Sequence, residues 1–283
     1  MDEEINANRK YKDSVFTKLF GEKDKLIELY NAIFETNYDS DTDIEITTLT
    51  NILFMGPIND LSFIIDGKIV VLIEHQSTIN ENMPLRMLLY IARVYEKICD
   101  HNNLYREKLI TIPRPEFIVL YNGKDEMQDK QTLRLSDMFA RYDQKNPVEL
   151  ELEVKIYNIN RGKNIQIAQR SATLESYELF IYMVREYQKE CDTLENAVSK
   201  AITYCISRNI LGDFLQVHSS EVINMLVKEW KLEEALKIRE LEGIERGIEI
   251  GEERGKEKTL KELEELIKQG VEVAELLKKL QEK

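Results

Sequence analysis

At 283 residues, 43% of them hydrophobic, the chain is long enough to bury a sizeable core as one large domain or two modest ones. Its net charge of −13 excludes a strongly basic protein that coats nucleic acid. DNA binding is then left to a local basic cleft, a metal-assisted site or an oligomer. The apolar runs are too short for a membrane span, and the acidic start Met1-Asp2-Glu3-Glu4 lacks an apolar signal region. Cys99, Cys191 and Cys205 form no CxxC, and His75, His101 and His218 have no zinc spacing. A reduced, cytoplasmic protein with no membrane partner is expected.

Lys10 to about Asn37 reads as helix, with Val15, Phe16, Leu19 and Phe20, then Leu26, Ile27, Tyr30 and Ile33, at helical spacing. Gly21 breaks or bends this run, and Asp24 can cap its second half. Ile44 to Leu49 alternates like a strand. Gly56-Pro57 then punctuates before two apolar, β-branched runs flanking Asp66-Gly67, a strong hairpin signal. Pro84 suits the first turn of a helix running to about Asp100, and Pro115–Tyr121 is an apolar strand stopped by Asn122-Gly123. Gln131–Phe139 carries no clear pattern, whereas Val148–Ile156 alternates strictly and reads as a half-buried edge strand. From about Asn164 the chain turns helical, over Ile165–Lys189, Leu194–Ser207, and a run that Ser219, Ser220 and Glu221 would start. Tyr177, Phe180, Tyr182 and Tyr187 read as core packing. In the tail, Gly243, Gly247, Gly251 and Gly255 recur every fourth residue among charges. Such a stripe fits either a solvated tail or close helix–helix approach in a homo-oligomer.

The hairpin carries the chemistry. Asp60 stands near the start of its first strand, and Glu74 and Gln76 near the end of its second. A two-residue loop, Asp66-Gly67, would put Asp60 and Glu74 on opposite faces. A three-residue loop, Asp66-Gly67-Lys68, or a bulge would set Asp60 opposite Glu74, with Gln76 on the same side. In that register Asp60, Glu74 and the main-chain carbonyl of His75 offer hard oxygen ligands suited to Mg²⁺ or Mn²⁺. Gln76 could orient a metal-bound water but, being neutral, cannot supply positive charge. The imidazole of His75 falls on the other face and reads as packing or surface. Arg86 and Tyr90, four apart on the following helix, could face the same cleft and contact a phosphate. Glu28 and Glu35 are more distant acids. The plainest alternative makes Asp60 and Glu74 exposed hairpin-end charges.

The order helix, strand, hairpin, helix, strand, with Asn59-Asp60 and Glu74-His75-Gln76, resembles the PD-(D/E)XK nuclease superfamily. It is most similar to its recombination-promoting nuclease (putative transposase) branch, in which ExQ replaces ExK. Lys12–Phe20, Arg86–Tyr90 and Phe117–Gly123 also match. The resemblance implies a mixed α/β fold with a restriction-endonuclease-like core and a C-terminal helical region. It implies a nuclease-like domain over 1–160, a helical subdomain over 161–235 and a charged, glycine-punctuated tail over 236–283. It further implies a Mg²⁺-dependent DNA endonuclease with Asp60, Glu74 and Gln76 as catalytic residues, linked to recombination or mobile elements. Gln76 stands where the superfamily usually has lysine. A catalytically weak nuclease fold, acting as a DNA-binding or oligomeric interaction module, is the alternative.

Overall fold

The computed structural model describes residues 14–46, 61–67, 69–100, 104–140 and 148–268. Two short helices open it, α1 (Val15–Phe20) and α2 (Lys23–Phe34). Ser14 caps α1 reciprocally: Thr17 N donates to Ser14 Oγ at 3.1 Å and Ser14 N donates to Thr17 Oγ1 at 3.0 Å. The turn at Gly21 separates the two helices, and Glu22, not Asp24, takes the N-cap of α2; Asp24 lies within its first turn. The hairpin follows as β2 (Leu61–Ile65) and β3 (Ile69–Gln76), preceded by β1 (Ile44–Ile46). Next come α3 (Met83–Ile98), β4 (Arg114–Tyr121), β5 (Lys130–Arg134), a 3-10 turn at Leu135–Met138 and β6 (Glu153–Asn158). Helices α4 (Ile165–Arg170), α5 (Ala172–Gln188), α6 (Leu194–Ser207) and α7 (Gly212–Lys268) complete the described chain.

The strands form one six-stranded sheet in the order β1-β2-β3-β4-β6-β5. The β1–β2 and β2–β3 pairs are antiparallel, β3–β4 and β4–β6 are parallel, and β5 returns antiparallel on β6. This is a mixed α/β fold, and helices cover both faces as parallel strands require. On one face, Met83, Met87, Tyr90, Ile91 and Val94 of α3 pack with Phe117, Val119, Tyr121, Val154 and Ile156. On the other, Phe16, Tyr30 and Tyr177 bring α1, α2 and α5 against His75 and Phe63. All five residues of β2 are buried, as expected of a strand covered on both faces.

Three expectations change. The alternating segment is an interior strand, not an edge: β6 sits between β4 and β5, and its regular pairing begins only at Glu153. The edge falls to β5, Lys-Gln-Thr-Leu-Arg, whose exposed pattern hides it in the sequence. The long helix over 165–189 breaks at Ser171, whose extended backbone caps α5 as Leu174 N donates to Ser171 Oγ at 3.0 Å. Helix α7 starts at Gly212, so Ser219 and Ser220 lie within it rather than before it. The chain divides into two compact units, Met1–Val227 and Lys228–Lys283, and residues 161–227 fall in the first. Among the described residues no helix is long and apolar enough to cross a membrane.

Candidate functional site at the end of the hairpin

The turn decides the register. Asp66 and Gly67 both take left-handed backbone, with φ of 53° and 61°, which glycine and aspartate tolerate best. Asp66 N also donates to Asp43 O at 2.9 Å, tying the turn to the start of β1. Ile65 therefore faces Ile69, Phe63 faces Val71, and Leu61 faces Ile73. This is the pairing of a three-residue connection, the register that the acid pair requires. Asp60 and Lys68 lie outside the described residues. Position 74 faces Val119 and position 76 faces Tyr121 along the parallel ladder. Both partners belong to the face that α3 covers.

Residue 75 goes to the opposite face. The His75 ring stacks on Phe16 with centroids 4.7 Å apart and planes 9° apart, and its Nε2 shares a 3.1 Å hydrogen bond with Tyr177 Oη. Burial, with the Arg185 charge adding to it, pulls the imidazole down to about 3. A ring held neutral by a hydrophobic wall is packing, as expected, and not a proton shuttle near pH 7.

Gln76 meets α3. Its amide is satisfied when Nε2 donates to Thr78 O and Oε1 accepts from an Arg86 Nη1, both at 3.2 Å. The reverse orientation would point Nε2 at Met83 Sδ, a weak acceptor. The Arg86 guanidinium also donates through Nε and Nη2 to Tyr90 Oη, at 3.0 and 2.8 Å. The structure thus joins Gln76, Arg86 and Tyr90 in one network. The helical i, i+4 spacing places the two α3 residues together, and the end of β3 supplies the third. A fixed positive charge consequently stands beside the neutral amide of Gln76.

Beyond this network lies an arrangement that sequence reasoning missed. Asn122 N donates to Gln76 O at 3.0 Å, which fixes the loop after β4 against the end of β3. Gly123 sits so close that a Cβ there would lie 1.8 Å from Ser77 O. Arg185 of α5 donates to Asn122 O and, at 2.7 Å, to Asn160 Oδ1. Asn160 Nδ2 in turn donates to Gly123 O and Asn158 Oδ1, each at 2.9 Å. These groups wall a cavity of about 690 Å³ where the parallel strands β4 and β6 end beside α5. Glu178 lines it with 7% of its surface exposed, and its Oε1 has no hydrogen-bond partner among the described residues. Burial, then the nearby charge of Glu175, push Glu178 up to about 8, against the pull of Arg161. The usable sequence signal was positional: Asn122-Gly123 follows β4, Asn158–Asn160 runs off the end of β6, and crevices form at the carboxyl ends of parallel strands.

The two distant acids serve the fold. Glu28 accepts from Thr173 N at 3.0 Å and Thr173 Oγ1 at 2.7 Å, holding the start of α5. Glu35 pairs with Arg170 at 3.2 Å. Among the described residues no group of three or more His, Cys, Asp or Glu gathers as a metal site. The family model described as "Putative transposase, YhgA-like" matches residues 13–204. No curated protein and no solved structure matches the chain.

Proposed function

The chain belongs to the YhgA-like putative transposase family, and on that premise we propose that it is a metal-dependent DNA endonuclease with a restriction-endonuclease-like core. The family description ties it to DNA processing in mobile elements. The observation that carries the endonuclease reading is the hairpin register, Ile65 on Ile69 and Leu61 on Ile73. Continued by one residue, that register would set Asp60 opposite Glu74. A two-residue turn would have separated them.

In this reading Asp60, Glu74 and the main-chain carbonyl of His75 would hold Mg²⁺ or Mn²⁺, since two carboxylates and a carbonyl form a hard donor set for such an ion. Such an ion would supply charge neutralisation at a phosphate and a more acidic water. Gln76 orients the attacking water through its amide. Arg86, held by Tyr90 Oη, grips a phosphate oxygen and supplies the positive charge that a lysine at 76 would otherwise bring. His75, stacked on Phe16, keeps the end of β3 seated and takes no part in proton transfer.

Nicking of supercoiled plasmid with Mg²⁺ or Mn²⁺ tests this, with Asp60→Ala and Glu74→Ala as controls. Wild type should nick and both variants should lose at least 100-fold. Equal nicking by all three, or none by any, sinks the catalytic reading. A second reading, a DNA-binding or homo-oligomeric module assembled through the C-terminal helix, is favoured by one observation. Ile238, Leu241, Ile244 and Ile248 in the second unit are each about half exposed, at helical spacing. Sedimentation of the full chain against a variant carrying lysine at Ile244 and Ile248 tests it, and unchanged mass in both removes it.

A further inference from the structure

The cavity that begins at Asn122 lies outside the hairpin chemistry. Five basic side chains, Arg161 and Arg185 with three lysines, line it against four acidic ones, in a chain whose net charge is −13. Lys163 pairs with Asp129 at 3.4 Å and Lys189 with Glu186 at 2.7 Å. Exposed ion pairs of this kind are weak enough for a phosphate to compete for their cations. Tyr182 stands at the mouth with 38% of its surface exposed, unlike the buried Tyr177 and Phe180 of the same helix. The Arg161 guanidinium lies 4.8 Å from the Tyr182 ring centre. Glu178 contributes a buried carboxyl oxygen that has no partner among the described residues. A flat ring surface, surrounding cations and a buried polar oxygen are together the chemistry of nucleotide recognition.

The position of the cavity selects the source of that nucleotide. Its wall, Asn122-Gly123, is hydrogen-bonded to Gln76 O and touches Ser77 with no room for a Cβ. A strand with a phosphate at the end of the hairpin would reach the cavity by crossing the carboxyl ends of β3 and β4 to the α5 side of the sheet. We propose that this cavity accepts one unstacked nucleotide of a DNA strand, its base on the Tyr182–Arg161 stack and its edge turned toward Glu178. The proposal rests on the DNA reading above and adds to it a substrate class: DNA with an unpaired or readily extruded nucleotide beside the cleaved bond. Unstacking a base costs least where it is already unpaired, so such sites bind first. At neutral pH Glu178 keeps its proton and offers both a donor and an acceptor to a base edge.

Fluorescence anisotropy without divalent ions, where cleavage cannot intrude, tests it on the full chain. The probes are a paired duplex, the same duplex with one unpaired nucleotide, a single strand, and the four deoxynucleoside monophosphates. The unpaired nucleotide should tighten binding about ten-fold over the paired duplex, the scale of one base on one aromatic ring. Tyr182→Ala should abolish that gain and leave paired-duplex affinity within about two-fold, with an unchanged circular dichroism spectrum. Glu178→Leu should reduce the same gain. Equal affinity for paired and unpaired duplex, or a gain that survives in Tyr182→Ala, overturns the cavity assignment while the DNA reading stands. Binding of no DNA at all overturns the cavity assignment, and the nicking assay with Mg²⁺ or Mn²⁺ then decides the DNA reading separately. Tight monophosphate binding without any preference among the duplexes would assign the cavity to a free nucleotide and overturn the strand proposal.

Discussion

Replacing His75 with phenylalanine separates packing from chemistry at the end of β3. In the native protein the ring stays neutral down to about pH 3, whereas an imidazole in the unfolded chain protonates near 6.5. Between those values the unfolded chain binds a proton that the native state refuses. Stability is therefore complete above pH 6.5 and falls as the solution is acidified. At 1.36 kcal/mol per pH unit, moving from pH 7.5 to 5 removes about 2 kcal/mol through this residue alone. Phenylalanine preserves the stack on Phe16 and loses the hydrogen bond to Tyr177, at about 1 kcal/mol independent of pH. Glu178 works in the opposite sense: the native state holds its proton up to about pH 8, so its contribution grows as pH falls. That contribution is common to both proteins and cancels in their difference. Urea midpoints at the two pH values should shift by about 0.8 M more in wild type than in His75→Phe, for an m of about 2.5 kcal/mol/M. Equal shifts would refute the neutral state of the ring. A folded His75→Phe that has lost more than 100-fold in nicking would refute its assignment to packing.

Gly123→Ala forces a Cβ into Ser77 O and the Tyr121 ring, so it should cost at least about 2 kcal/mol and lower nicking with it. An unchanged thermal midpoint contradicts that close approach. Arg86→Met should lower the nicking rate at least ten-fold with little loss of stability, and Arg86→Lys should recover only part, because an ammonium cannot reproduce the fork to Tyr90 and Gln76. Wild-type rates in Arg86→Met remove its phosphate role. Glu28→Ala strips two hydrogen bonds from the start of α5 and should cost about 1–2 kcal/mol in urea unfolding, leaving the nicking rate per folded molecule intact. A catalytic defect without a stability defect would return Glu28 to the site.

Local signals carried the reading of the hairpin, α3 and β4. Each declares itself through nearest neighbours: Asp66-Gly67 for the turn, Pro84 for the first turn of α3, and a β-branched run for β4. The same local logic misplaced β6, because alternation reports which faces of a strand are buried and says nothing of which strands flank it. The partner that makes β6 interior is β5, and its exposed, polar sequence has no strand period of its own. Ser219 and Ser220 resemble a helix start wherever they occur, yet buried Leu215, Val222 and Leu226 carry α7 straight through them.

The candidate site divides along the same line. Sequence by itself determined which residues could do chemistry and posed the register as a choice between two loops, since turn residues and side-chain period are properties of a short segment. Tertiary structure alone decided which loop forms, through left-handed Asp66 and Gly67 anchored to Asp43. It also decided what surrounds the site. Arg86 reaches Gln76, and Arg185 reaches Asn122 and Asn160, across gaps of ten, 63 and 25 residues. Contacts of that range depend on how strands and helices stack, and no local pattern in the chain encodes them.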